Sequence, residues 1–315
     1  MRVVFMGNPE FAIPTLKLLQ KSRHDLLAVV SNKPKPMGRG RILKSTPVGQ
    51  FAKENQIKLL EPDDLNEINF KNQLKNLEAD IFLVVAYRIL PEEIIGIPRH
   101  GAINLHVSLL PKYRGAAPIQ WALMNGETET GVTVFQINKK VDTGDILVQE
   151  KFPIHKDDNM WTLGSRLCKS GAEIIIDAVG KIEDGSIEIL KQNIEAVTLA
   201  PKITKKMRRI NWGWSAMKIH NWVRGLSPYP SMFTILNGKK MKVFKTFVKK
   251  SSIRKPGAII NVTHDSILIG TGNNLLGLLE IQIEGKNKLS IEEYLKGSPL
   301  DKKWIFPDHF PYVST

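Results

Sequence analysis

At 315 residues the chain is long enough for two domains, each with its own core. Its composition, 42% hydrophobic and 24% charged, is that of an ordinary globular protein; no apolar run could span a bilayer, and the lone Cys168 excludes an internal disulfide or a multi-cysteine metal site. The net charge of +14 is concentrated: fifteen Lys and Arg and no acid lie between Lys202 and Lys255, so the rest is nearly neutral and a polyanionic partner is expected for that region.

The first half alternates short apolar runs with helical patterns. Residues 3–6 read as a strand ending at Gly7-Asn8-Pro9, followed by a helix over 10–20 with Pro14 in its first turn. Gly7 lacks the G-x-G-x-x-G spacing of a dinucleotide turn, so packing or close approach explains it better. Further strands are expected at 26–30, 57–60, 81–86, 102–105 and 131–135, with helices at 48–55 and 70–77. This order argues for a doubly wound, largely parallel α/β sheet covered by helices on both faces. Between the second and third strands, residues 31–41 (SNKPKPMGRGR) carry two Pro, two Gly, four basic residues and no acid, which predicts an irregular basic loop. Cys168, in a helical stretch, reads as a buried structural thiol.

Residues 190–202 show no amphipathic period and read as a linker. A helix is expected over 215–224, then strands at 232–236, 241–248, 258–262, 266–270 and 276–283, with hairpin signals at Asn237-Gly238 and His264-Asp265. Several short strands in about a hundred residues suggest a small β-barrel of the oligonucleotide-binding type. The expected division is therefore 1–189, a linker at 190–204, and 205–315. The N-terminus lacks the apolar core and cleavage site of a signal peptide, and with the cysteine usage this gives a cytoplasmic expectation.

Three residues stand out chemically. In an extended segment, Asn104 and His106 lie on one face of the strand, so an amide and an imidazole point into the same space just before a chain reversal at Pro111. Asp142, in VDTGD (141–145), is a carboxylate able to orient that imidazole. A Ser108 nucleophile lacks any elbow motif, and the seven His are too scattered for a metal site.

The surrounding string, NLHVSLLPKYRGAAPI (104–119), resembles the signature of the formyltransferases that use 10-formyltetrahydrofolate, and DTGDI (142–146) resembles their second motif. Further similar landmarks are MGNPEF (6–11), NKPKPMGRGR (32–41), GETETGVT (126–133), APKIT (200–204) and RGLSPYP (224–230), so the resemblance covers nearly the whole chain. Two departures stand out. Val107 replaces a smaller residue, and Lys206 and Asn211 stand where relatives often have acids, which makes that boundary more basic.

The resemblance implies a Rossmann-like formyltransferase domain with Asn104, His106 and Asp142 as catalytic residues. It implies Ser108, Leu109, Leu110 and Pro111 as contacts to the 10-formyltetrahydrofolate co-substrate, and residues 85–90 as a wall of the pterin pocket. It implies no metal, no membrane, a monomer, and methionyl initiator tRNA as partner. Arg39 in the basic loop and Lys205, Lys206, Arg208 and Arg209 after the linker are the expected tRNA contacts. Relatives that formylate a nucleotide-linked amino sugar or glycinamide ribonucleotide share the Asn-x-His and Asp motifs, so those motifs do not name the acceptor. The basic loop and the acid-free stretch favour tRNA. A non-enzymatic RNA-binding protein is the other reading, and the intact trio argues against it.

Overall fold

The structure, a computed structural model, describes residues 1–37, 40, 42–297 and 306. Two compact units emerge: Met1–Pro118 with Glu129–Pro153 and Gly164–Pro201, and Ile119–Thr128 with Ile154–Leu163 and Lys202–Thr315.

The first unit is built on a seven-stranded sheet. Its strands are β1 (Arg2–Gly7), β2 (Asp25–Val30), β5 (Leu59–Leu60), β6 (Ile81–Val85), β7 (Ala102–His106), β8 (Glu129–Gln136) and β9 (Ile146–Pro153), in the order β5-β2-β1-β6-β7-β8-β9. The five strands from β5 to β7 are parallel, and β8 and β9 are antiparallel. The expected strands are all present, but β9 is an addition: its outer half alternates less and faces solvent at Gln149–Lys151 or partly so, leaving little periodic signal. Helices α1 (Ile13–Lys21), α2 (Pro47–Glu54), α3 (Ile68–Asn76) and α4 (Glu92–Ile95) connect the parallel strands. Two more cross from one unit to the other, α5 (Pro118–Met124) and α6 (Met160–Glu183).

Alternation divides the strands between two cores. Val4 and Met6 of β1, Phe82 and Val84 of β6 and Ala102 of β7 pack with Phe70 and Leu74 of α3 and Ile94 of α4. Leu105, one residue out of phase, meets Gly171 of α6 on the other face, where a Cβ on that glycine would come within 2.9 Å. The sheet is thus covered on both faces, and its order reverses between β1 and β6. Ligands of such sheets bind beyond the strand ends at this reversal. Gly7 ends β1 there, and a Cβ on it would lie 2.9 Å from the Val85 carbonyl, so the expected packing role holds.

The basic segment differs from its irregular expectation. Lys35–Met37 (β3) and Ile42–Lys44 (β4) pair as a short antiparallel hairpin. Its Pro36 and lysines are compatible with a two-stranded edge that has no sheet to complete. Arg39 lies outside the described residues.

The second unit holds α7 (Ala216–Leu226), β10 (Met232–Leu236), β11 (Lys239–Lys249), β12 (Ile259–Val262), β13 (Ile267–Gly270), β14 (Leu275–Ile283), β15 (Lys288–Ser290) and α8 (Ile291–Gly297). The strands form one antiparallel sheet, ordered β10-β11-β14-β13-β12 with β15 beside β14. Asn237 and Gly238 both have positive φ, 48° and 71°, as the tight β10–β11 turn requires. Ser215 caps α7, its hydroxyl accepting from the Lys218 N–H. The core gathers Ile219, Val223 and Leu226 of α7 with Met232, Met241, Val243, Ile269, Leu276 and Leu278 of the sheet, around a fully buried Trp212. The Trp212 indole donates to Thr234, which satisfies its one polar atom.

Candidate active site

β7 delivers the site. Hydrogen-bonded between β6 and β8, it fixes Asn104 opposite Val84 and Phe135, and His106 opposite Thr133. Both side chains share the Ala102 face, as alternation predicts. His106 is buried, 6% exposed, and its ring meets Phe135 edge-on at 6.4 Å. Its Nε2 lies 2.9 Å from the Tyr113 carbonyl. A carbonyl oxygen only accepts, so that contact places a proton on Nε2 and leaves Nδ1 facing Asp142. The Nδ1–Asp142 Oδ2 separation is 3.8 Å, an ion-pair distance rather than a hydrogen bond. Asn104 is half-buried, and among the described residues its amide has no hydrogen-bonding partner. The result is a free donor beside a held imidazole.

Asp142 is fixed from two sides. Its Oδ2 accepts from the Gly115 N–H at 2.7 Å, and its backbone takes φ 52°, a left-handed conformation that Asp tolerates better than most residues. Gly115 itself has φ 122°, and a Cβ there would lie 2.8 Å from the Ala200 carbonyl. Gly144 admits no side chain at all: a Cβ would sit 1.6 Å from the Gln136 carbonyl. The Gly in RGA (114–116) and in DTGD therefore serves close approach of two loops.

The Ser108–Pro111 turn follows β7 directly and contains a cis Leu110–Pro111 bond. Its backbone is more internally bonded than expected for a surface that binds through backbone groups. The Ser108 carbonyl accepts from Thr133 Oγ1 at 2.7 Å, the Leu109 carbonyl from the Lys112 N–H, the Leu110 carbonyl from Gln149 Nε2, and the Pro111 carbonyl from the Thr198 N–H. Thr133 Oγ1 also accepts from the Leu110 N–H and from Gln149. Each carbonyl keeps a second lone pair, but its direction is set by the first bond. Thr133 of β8 and Gln149 of β9 therefore shape this turn, and neither was marked by the sequence. Leu110 closes the wall with Phe135 and Ile146. Beyond β6, Ala86 has φ 51°, and Arg88 donates to the Pro62 and Asp63 carbonyls and to Tyr87, whose phenol burial pushes up in pKa.

Residues 190–200, expected to be a featureless linker, are bonded along the site. Leu190 bridges to Ile146, and Ala200 exchanges backbone bonds with Arg114 and Ala117. Thr198 Oγ1 accepts from the Tyr113 N–H. The pattern that misled is physical: these residues are held by backbone bonds and isolated polar side chains, which leave no periodicity.

The tRNA contacts expected after the linker, Lys205, Lys206, Arg208 and Arg209, fall in the second unit. Lys205 and Lys206 are exposed, whereas Arg208 donates to the Pro230 and Ser231 carbonyls. Arg209 is half-buried beside the Ile210–Phe233 backbone bond. Lys240, not singled out by the sequence, lies 4.4 Å above the Phe233 ring, and its pKa is lowered by burial and then by Arg208, Lys205 and Lys242. Burial is the larger cause, and the three neighbouring cations add to it, so positive charge is gathered at this surface. Cys168 is buried, and burial alone pushes its thiol up to about 12. Among the described residues no group of His, Cys, Asp or Glu is gathered as a metal site, and no helix is long and apolar enough to cross a membrane.

The formyl transferase family model matches residues 1–179, and the model of the formyl transferase C-terminal domain matches residues 202–299. The methionyl-tRNA formyltransferase of Caldanaerobacter subterraneus is 43% identical over 94% of this chain and 97% of its own. That of Alkaliphilus oremlandii is 40% identical over 96% and 98%. Among solved structures, WlaRD, a sugar 3N-formyl transferase in the presence of dTDP and 5-N-formyl-THF, superposes with a TM-score of 0.67 at 23% identity, covering 91% of this chain and 99% of that one. At that identity the likeness speaks for the fold alone.

Proposed function

The chain belongs to the formyl transferase family, and from that premise we infer its reaction: transfer of the formyl group of 10-formyltetrahydrofolate to the free α-amine of methionyl initiator tRNA. The observation that carries the chemistry is one free amide donor, one buried imidazole and one held carboxylate at the carboxyl end of β7. The residues suit the donor: an unpartnered amide beside the apolar wall of Leu110, Phe135 and Ile146 fits a carbonyl carried on a flat ring system. When bound there, the folate supplies a formyl carbon already activated by poor amide resonance with an aryl-type amine.

Asn104 donates its amide to the oxygen on which charge develops when the amine attacks. Such a preorganised donor contributes roughly 3 kcal/mol, or about two to three decades in rate. With its Nε2–H held by the Tyr113 carbonyl, His106 takes at Nδ1 the proton that the attacking amine sheds and passes it to the departing folate nitrogen, worth on the order of two to four decades. Asp142 orients that imidazole, or a water between them, since 3.8 Å leaves the contact unclosed. Ser108 to Pro111 hold the folate, and the surface around Lys205, Lys206, Arg208 and Arg209, with Lys240, receives the tRNA backbone. Residues 1–189 are assigned to the formyl transfer and 205–315 to tRNA binding. The single buried cysteine suits a reducing cytoplasm, and the site draws on one chain, so a monomer is sufficient.

The test is substitution at β7. Asn104→Ala and His106→Ala should each lower kcat by roughly two decades or more, with the folate KM changed little. Near wild-type turnover in either variant sinks the assignment.

A further inference from the structure

The family models leave residues 180–201 unmatched, yet Gln192 lies within the scaffold of the site. Its Nε2 donates to the Asp142 carbonyl at 3.0 Å and to the Gly144 carbonyl at 2.7 Å. Its Oε1 accepts from Arg114 Nε at 3.1 Å and Nη2 at 2.6 Å. One amide therefore ties together the loop that carries Asp142 and the loop that carries Gly115, whose N–H holds the Asp142 carboxylate. The orientation of the amide is set by chemistry: carbonyls only accept and a guanidinium only donates, so nitrogen and oxygen cannot be exchanged.

Asp142 needs such a clamp. A non-glycine residue at φ 52° is held in a sparsely populated conformation only where its surroundings over-determine it. The 3.8 Å gap to His106 also depends on where this loop stands. We propose that Gln192 is a positioning residue for formyl transfer: it acts through Asp142, clamping the Asp142–Gly144 backbone so that the carboxylate faces His106 Nδ1. This inference rests on the reading of Asp142 as part of the catalytic machinery.

The experiment is a cycle in the full-length enzyme. Gln192→Glu keeps the size and the bond to Arg114 but turns a carboxylate oxygen toward two carbonyls. Gln192→Ala removes both sets of bonds. Each variant is made alone and in an Asp142→Asn background, with kcat, both KM values, the pH profile of kcat and the thermal midpoint measured. The expected result is a loss in kcat of roughly 10- to 100-fold for each Gln192 variant, with KM for folate and tRNA changed less than threefold and an altered acid limb of the pH profile. On Asp142→Asn, neither variant should cause a further loss beyond about twofold. An impaired Asp142→Asn with Gln192→Glu at wild-type turnover overturns the inference and leaves the reading of Asp142 intact. So does a Gln192 loss that persists in full on Asp142→Asn, because it then acts by another route. Wild-type turnover in Asp142→Asn overturns both. If Gln192→Ala does not fold, Gln192→Glu carries the comparison.

Discussion

At the scale of single residues, the site is a contrast between groups that are held and one that is not. His106, Asp142 and the Ser108–Pro111 turn each have assigned partners, while the Asn104 amide is left for a ligand. That division is what preorganised stabilisation of a developing charge requires. The placement of Asn104 and His106 on one face was legible because two-residue spacing on a strand has only one geometric outcome, and the structure brings the Asp142 carboxylate to 3.8 Å from His106. Thr133, Gln149 and Gln192 were not legible, since nothing in a lone Thr or Gln says which loop it will reach. Thr133 offers a direct check. Thr133→Val keeps the shape but removes the donor to the Ser108 carbonyl and the acceptor for the Leu110 N–H and Gln149. The turn should loosen: steady-state kinetics should show the folate KM raised by roughly 3- to 10-fold, and unfolding should show stability reduced by about 1–3 kcal/mol, the usual cost of leaving buried polar groups unpaired. An unchanged folate KM would mean that the turn does not depend on this hydroxyl.

At the scale of elements, the alternation of apolar runs and helical patterns specified the strands of the parallel half of the sheet and the positions of β10 to β14. The less regular pieces escaped. β9 is exposed along its outer half, and the hairpin β3–β4 is built from Pro and Lys, which a pattern of burial cannot detect. Residues 190–200 gain their order from other loops. In the second unit, α7 packs on the sheet partly through His220, whose Nδ1 meets Thr246 Oγ1 of β11 at 2.9 Å. Burial, and then the Arg224 charge, lower its pKa in the folded protein. The neutral form is thus favoured by folding, so the unfolded chain binds the proton more readily. The stability this contributes is complete above the unfolded value near 6.5 and declines as pH falls through it toward the folded one. Thermal melts should show the midpoint of the wild type falling between about pH 7 and pH 5, and falling less in His220→Gln. Identical slopes for the two proteins would show that the titration of His220 is not coupled to folding.

At the scale of the molecule, chemistry and partner are encoded in different places. In the reaction proposed above, Asn104 and His106 on β7 and Asp142 in its loop carry the chemistry and meet the donor. The acceptor is named by charge: the acid-free run from 202 to 255, with Lys205, Arg208 and Lys242 gathered around Lys240. Charge density over a whole segment is readable from a sequence, but the individual contacts are not, because Arg208, expected to reach the nucleic acid, is already bonded to two carbonyls of its own chain. The central claim is tested most directly by offering labelled 10-formyltetrahydrofolate with methionyl initiator tRNA, uncharged tRNA and a nucleotide-linked amino sugar, at salt from roughly 50 to 200 mM. The account predicts label in amide linkage on the methionyl-tRNA alone, with a tRNA KM that rises steeply with salt. Transfer to the amino sugar at comparable kcat/KM, or a tRNA KM indifferent to salt, would contradict it.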